Sequence, residues 1–244
     1  MKPKAYDFYC GLGGWTDGLL ATGWQVTGFD IEPQPAYPGE FQQRDVRDIH
    51  GSELADADLI VASPPCQEFS YRAMPWKRAK ALGSPVDGIN LFWQCWRIQE
   101  EASEAKGEYI PLVVENVKGA QPWVGSARWH YGSFYLWGDV PAIMPLIVGR
   151  KGPGGGWLGD SGRQDPRDVR KQADGSWAAT EVKNGNDWFG SGPACSLQRR
   201  FNSRSQARKA ASAQIAKIPR PLAEHIGRVF FPFQDKARIA QTSG

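Results

Sequence analysis

The chain has 244 residues, 41% of them hydrophobic, with a formal net charge of +3 and a mean hydropathy of −0.48. That is enough for one substantial domain with a small appendage and a real core, and the small net charge leaves only a local electrostatic case for nucleic acid. Four widely spaced cysteines without a C-x-x-C pair, three histidines apart from them, no secretory leader at Met1-Lys2-Pro3-Lys4 and no apolar run of membrane length argue against a disulfide framework, a metal site and a membrane span.

In chain order, Ala5 to Cys10 reads as a short strand that breaks into Gly11-Leu12-Gly13-Gly14, with a helix expected over Trp15 to Thr22. Strand, glycine turn and helix let backbone N–H groups approach a nucleotide-like ligand, although many such turns merely reverse the chain. The spacing is not that of a P-loop. A second strand, Trp24 to Phe29, ends in Asp30-Ile31-Glu32, where α/β folds hold ribose hydroxyls.

The apolar run Ala57 to Ala62 then meets Ser63-Pro64-Pro65-Cys66-Gln67-Glu68-Phe69-Ser70. Two prolines cannot continue a sheet, so a stiff turn presents the Cys66 thiol at the carboxyl end of a strand. A sulfur nucleophile held there suggests covalent chemistry; a half-buried structural cysteine is the plain alternative. The alternation of strands and helices predicts a parallel doubly wound sheet.

Tyr71 to Gly88, with Lys77, Arg78 and Lys80, suits a loop over the site or an ordinary surface loop. Asn90 to Ala105 has helical spacing, and Cys95 with its tryptophans is most simply core. Pro111 to Val117 is another buried-strand run containing Glu115, an ionisable group that is costly there unless paired or used. If Glu115 lies beside Cys66 on a neighbouring strand, it is a candidate acid with a raised pKa. Gly132 to Trp137 predicts a further strand, and Leu222 to Val229 a final helix behind Pro221.

From Gly149 to Asn202 periodicity disappears. Over Arg150 to Lys209 twelve arginines and lysines stand against six acidic residues, among isolated tryptophans. Such an insertion could track phosphates and stack bases; a loose surface insertion fits equally.

Taken together these segments resemble the DNA cytosine-5 methyltransferase family. Asp7-Phe8-Tyr9-Cys10-Gly11-Leu12-Gly13-Gly14 is similar to its S-adenosylmethionine turn, Pro65-Cys66-Gln67 with Ser70 to its nucleophile motif, Glu115-Asn116-Val117 to its Glu-Asn-Val, and Gln214 to Ile226 to its closing helix. Their order and spacing fit, over roughly residues 5 to 138 and 205 to 230. The resemblance implies a Rossmann-like α/β sheet of the S-adenosylmethionine-dependent kind with a reduced target-recognition insertion. It divides the chain into a catalytic and cofactor-binding domain (1–148), the insertion (149–204), a segment returning to the catalytic domain (205–232) and a tail (233–244).

The implied activity is methyl transfer from S-adenosyl-L-methionine to C5 of a flipped cytosine in double-stranded DNA, through an adduct on Cys66, with Glu115 holding the ring edge. The cofactor would meet Phe8, Gly11 and Gly13, with Asp30 on the ribose, Ile31 against the adenine, Asp45 on its amino group, and Pro65 and Leu91 closing the sides. The family's Gln-x-Arg-x-Arg element is absent in that form, and Arg128 is the nearest substitute as a third catalytic residue. Ala216-Lys217 stands where the closing motif reads Gly-Asn. The reduced insertion resembles compact phage-type solitary members and implies a monomer, without metal or membrane, in the cytoplasm of a bacterium or phage host. Methylation of cytosine in RNA, or a silent nucleic-acid binder, would use the same scaffold.

Overall fold

The computed structural model describes residues 2–69, 85–145 and 217–232, and the backbone of 150–151, 157–158, 170–171 and 177–178. These fall into two compact units, one within Met1–Met144 and Ile218–Gly244 and the other within Pro145–Lys217.

The first unit is built on a seven-stranded sheet. Its strands are β1 (Lys4–Phe8), β2 (Gln25–Asp30), β3 (Glu40–Gln43), β4 (Leu59–Ala62), β5 (Leu112–Asn116), β6 (Trp129–Tyr131) and β7 (Phe134–Gly138), in the order β3-β2-β1-β4-β5-β7-β6. The first five are parallel; β7 runs antiparallel to β5, and β6 antiparallel to β7. The expected parallel sheet is therefore mixed, because β6 and β7 form a hairpin, and a tight turn can only join antiparallel strands. Strand β3 gave no apolar signal because it is an edge strand with largely exposed side chains.

Helices α1 (Gly14–Ala21) and α3 (Arg220–Val229) lie on one face and α2 (Val86–Lys106) on the other. Side chains alternate across a strand, so β4 sends Leu59 and Val61 to the α1 and α3 face, and Ile60 and Ala62 to the α2 face. Helix α2 starts four residues before the predicted Asn90, directly after Pro85, and takes in the end of the predicted 71–88 loop. The remainder of that loop, residues 71–84, lies outside the described residues. Where α1 crosses α3 the backbones are so close that a methyl group on Gly18 would overlap Ala223.

Strand order reverses between β1 and β4. The glycine turn leaves β1 there and the Pro-Pro-Cys turn leaves β4, so both border the crevice in which open sheets bind ligands. Of the 149–204 insertion, only β8 (Arg150–Lys151) paired with β9 (Trp157–Leu158), and β10 (Arg170–Lys171) paired with β11 (Trp177–Ala178), are described, both antiparallel. The tail over 233–244 lies outside the described residues. Among the described residues, no helix is long and apolar enough to cross a membrane.

Candidate active site

Strands β4 and β5 pair in parallel, with Ala62 opposite Val114. Their carboxyl ends are therefore side by side: the Cys66 turn leaves one, and Glu115-Asn116 ends the other. The Asn116 side-chain amide donates to the carbonyl of Pro64 at 3.1 Å, in a buried position. Ser63 follows Ala62 as Glu115 follows Val114, and within β5 Glu115 continues the alternation of Val113 on the α1-facing side. Glu115 is 8% exposed and Cys66 half-buried, so a carboxyl group and a thiol share this end of the sheet.

The Cys66 turn is held at several points. Ahead of it, the Trp15 indole donates to Ser63 Oγ at 3.0 Å. Behind it, Gln67–Phe69 closes a short 3-10 turn, with the Phe69 N–H donating to the Cys66 carbonyl. Glu68 accepts from the Gly88 N–H in the first turn of α2 (2.8 Å), where a carboxylate favourably meets the helix dipole, and Phe69 is buried in the core. By contrast, burial pushes the Cys95 thiol well above its usual range, and Cys10 likewise, so these two thiols are poor nucleophiles.

Across β1, the turn Tyr9 to Gly13 is built from unusual backbone. Tyr9, Gly11 and Gly13 all have positive φ (57°, 47° and 71°). Glycine tolerates this freely; tyrosine does not, and Tyr9 is pinned by its hydroxyl donating to the Leu91 carbonyl on α2 (2.9 Å). The two glycines differ in what surrounds them. A Cβ on Gly11 would meet nothing within 4 Å, whereas one on Gly13 would come within 2.6 Å of Pro38. Open ground therefore lies over Gly11, and Gly13 serves the packing of the 37–39 segment.

Asp30, at the end of β2, accepts from the Gly11 N–H on one oxygen and the Glu32 N–H on the other, both at 2.9 Å. Beside it Ile31 is an apolar side chain left 61% exposed. A carboxylate fixed at the edge of an open glycine turn, next to an exposed apolar residue, suits the hydroxyls and base of a nucleoside. Asp45 caps a 3-10 turn and is paired with Arg47, whose guanidinium holds its carboxyl below the usual carboxylate range. Pro65 is exposed and Leu91 half-buried. Phe8 is wholly buried, packed edge-on against Phe29 inside the core, and Tyr9 is the aromatic residue that follows it into the turn. No sequence pattern singles out Tyr9, because its left-handed backbone and its bond to α2 are tertiary.

Arg128 precedes β6, its N–H donating to the Leu136 carbonyl. Its charge acts on Tyr109: burial and then the Asp139 carboxylate push that hydroxyl up to about 12, and the Arg128 guanidinium pulls against them. Tyr109 donates to Asp139, which pairs with Leu112 at the amino end of β5, opposite the end that carries Cys66. The closing segment 214–216 lies outside the described residues; from Ile218 onward α3 packs on α1.

Comparison with known proteins finds similar chains. Residues 4–122 match the family model for C-5 cytosine-specific DNA methylase, a span that holds the glycine turn, Cys66 and Glu115. A Type II methyltransferase of Herpetosiphon aurantiacus, M.HgiGI, is 30% identical over 121 residues, covering 42% of this chain and 93% of that one. Among solved structures, a prophage-encoded protein of E. coli described as a DNA modification methyltransferase is 21% identical with a TM-score of 0.36, over 49% of this chain and 33% of its own. Entamoeba histolytica methyltransferase EhMeth is 16% identical, also at a TM-score of 0.36, over 50% of this chain and 40% of its own. The chain thus spans a third to two-fifths of the length of those two structures.

Proposed function

The chain belongs to the family of C-5 cytosine-specific DNA methylases, and from that premise we propose that it transfers a methyl group from S-adenosylmethionine to C5 of a cytosine in double-stranded DNA. The observation that carries this reading is the stitching of the Cys66 turn to the strand of Glu115 through the Asn116 and Pro64 contact.

Cytosine C5 is a weak nucleophile. Cys66, as thiolate, adds to C6 of the ring, and the electron pair displaced from the C5–C6 bond makes C5 enamine-like. Glu115, as the acid, gives a proton to N3 and so offsets the negative charge that addition brings to the ring. When bound, S-adenosylmethionine supplies the methyl group that C5 accepts. Loss of the C5 proton to a base, return of the N3 proton and departure of the Cys66 thiolate then restore the aromatic ring. The target base has to leave the duplex stack to reach a recessed thiol, at a cost of a few kcal/mol.

Gly11, Asp30 and Ile31 would hold the cofactor: the open turn admits its backbone, the carboxylate takes the ribose hydroxyls, and the isoleucine lies against the base. Asp45, Pro65 and Leu91 complete this pocket in the same reading. In the same reading Arg128 stays the third candidate residue, in place of the family's Gln-x-Arg-x-Arg element.

Transfer of tritiated methyl groups to duplex DNA tests the proposal. Wild type labels the DNA, and Cys66→Ser loses at least about a hundredfold in rate while remaining folded. Duplex carrying 5-fluorocytosine, which has no C5 proton to lose, should become covalently attached to wild type and not to Cys66→Ser. Label retained by Cys66→Ser, or found on tRNA and not on DNA, overturns the proposal.

A further inference from the structure

We propose that Trp15 and Ser63 are positioning residues that link the glycine turn to the nucleophile turn, so that a nucleoside cofactor held over Gly11 sets the reactivity of Cys66. This rests on the reading of Cys66 and Gly11 given above.

Trp15 is the second residue of α1, directly after Gly13 and Gly14. The residue is 1% exposed and belongs to one buried cluster with Leu19, Val61 and Val113, so it follows the first turn of α1 rather than moving alone. An indole has one donor in a fixed direction, and this one is given to Ser63 Oγ at 3.0 Å. Ser63 is in turn the last residue before Pro64-Pro65, whose rings lock φ and leave little slack between Ser63 and Cys66. A displacement of the α1 start by a ligand over Gly11 therefore reaches Cys66 along a short and stiff path.

The hydroxyl has a second use. Ser63 Oγ accepts from the indole and still has a proton to give, and Ser63 follows Ala62 as Glu115 follows Val114, its register partner on β5. Ser63 thus links α1 to the turn that carries Cys66, and neither it nor Trp15 takes part in bond making.

The rate of Cys66 alkylation by iodoacetamide, followed in the whole chain by peptide mass spectrometry, decides the matter. In wild type, saturating S-adenosylhomocysteine should change that rate by about fivefold or more; in Ser63→Ala and Trp15→Phe the change should shrink below about twofold, with the analogue's Kd within about threefold of wild type. The double variant should respond like either single one, and Ser63→Thr, which keeps the hydroxyl, should restore the response. Wild-type behaviour in Ser63→Ala, additive losses in the double variant, or an unresponsive wild type would each sink the link and leave only a buried indole finding a partner. If Trp15→Phe does not fold, the Ser63 pair of variants decides alone. Methyl transfer by Cys66→Ser would instead overturn the parent reading, and the alkylation assay needs no transfer to be read.

Discussion

The Asn116 side-chain amide donates to the Pro64 carbonyl across 3.1 Å, tying the end of β5 to the turn that carries Cys66 two residues later. Pro64 lies past the end of β4 and is buried, so this amide satisfies an acceptor that water does not reach.

Asn116→Ala leaves that carbonyl unpaired. It should cost about 1–3 kcal/mol in urea unfolding. Methyl transfer should fall by at least about tenfold with cofactor affinity little changed, because the geometry of the nucleophile is what loosens. Unchanged transfer at reduced stability would show that the contact serves only the fold.

Gly11 and Gly13 should separate function from packing. Gly13→Ala drives a methyl group against Pro38 at a positive φ and should destabilise the chain by about 1–3 kcal/mol. Gly11→Ala meets no neighbour, so its stability loss should be limited to about 1–2 kcal/mol of backbone strain. Calorimetric titration with S-adenosylhomocysteine should nevertheless show binding weakened by about tenfold or more, because the new methyl group stands where the ligand approaches. Equal affinity losses for the two variants would argue against open ground at Gly11 as the cofactor's place.

Asp7 should make stability depend on pH in an unusual sense. Its carboxyl is buried, accepts from Thr16 Oγ1 at 2.7 Å on one oxygen, and has no hydrogen-bond partner on the other among the described residues. Burial pushes its pKa up to about 7 from an ordinary value near 3.8. The folded chain therefore holds a proton that the unfolded chain releases: the contribution is fully present below pH 3.8 and is lost as pH rises through about 7. Asp7→Asn keeps the shape without the titration. Urea midpoints between pH 4 and 8 should flatten in this variant, by on the order of 1–3 kcal/mol across the range. Parallel pH profiles for the two proteins would contradict a protonated Asp7.

Gly18→Ala should damage the crossing of α1 and α3, since the added methyl overlaps Ala223. A loss of about 1–3 kcal/mol is expected, seen as a lower Tm. Ala223→Gly in the same chain should recover little of it, because backbone atoms of Ala223 and Glu224 also lie within 2.7 Å of the added methyl. Full recovery would mean that the helices meet differently.

Much of the site is legible along the chain because its signals are local. Pro-Pro before Cys66 ends a strand whatever lies around it, and an apolar run carrying Glu115 asks for a use wherever it packs. Arg128 illustrates the opposite case. Its place after the Glu-Asn-Val strand suggests a part in the reaction, yet where its backbone sits, with its N–H donating to Leu136 beside the β6 and β7 hairpin, follows only from strand pairing. Phe8 and Tyr9 are adjacent aromatics in a strand-to-turn passage; that the first is wholly core and the second left-handed depends on Phe29 and α2.

By itself, then, the amino-acid order determined the kinds of element, the glycine turn, the thiol and the carboxyl group, since each follows from short-range periodicity or turn chemistry. Only the tertiary structure decided that β4 and β5 are neighbours in register, that Asn116 and Trp15 grip the Cys66 turn from two sides, and that Gly13 answers to Pro38. Those relationships join residues up to about fifty positions apart, and strand order, register and side-chain contact at that distance are set by mutual packing that no local pattern encodes.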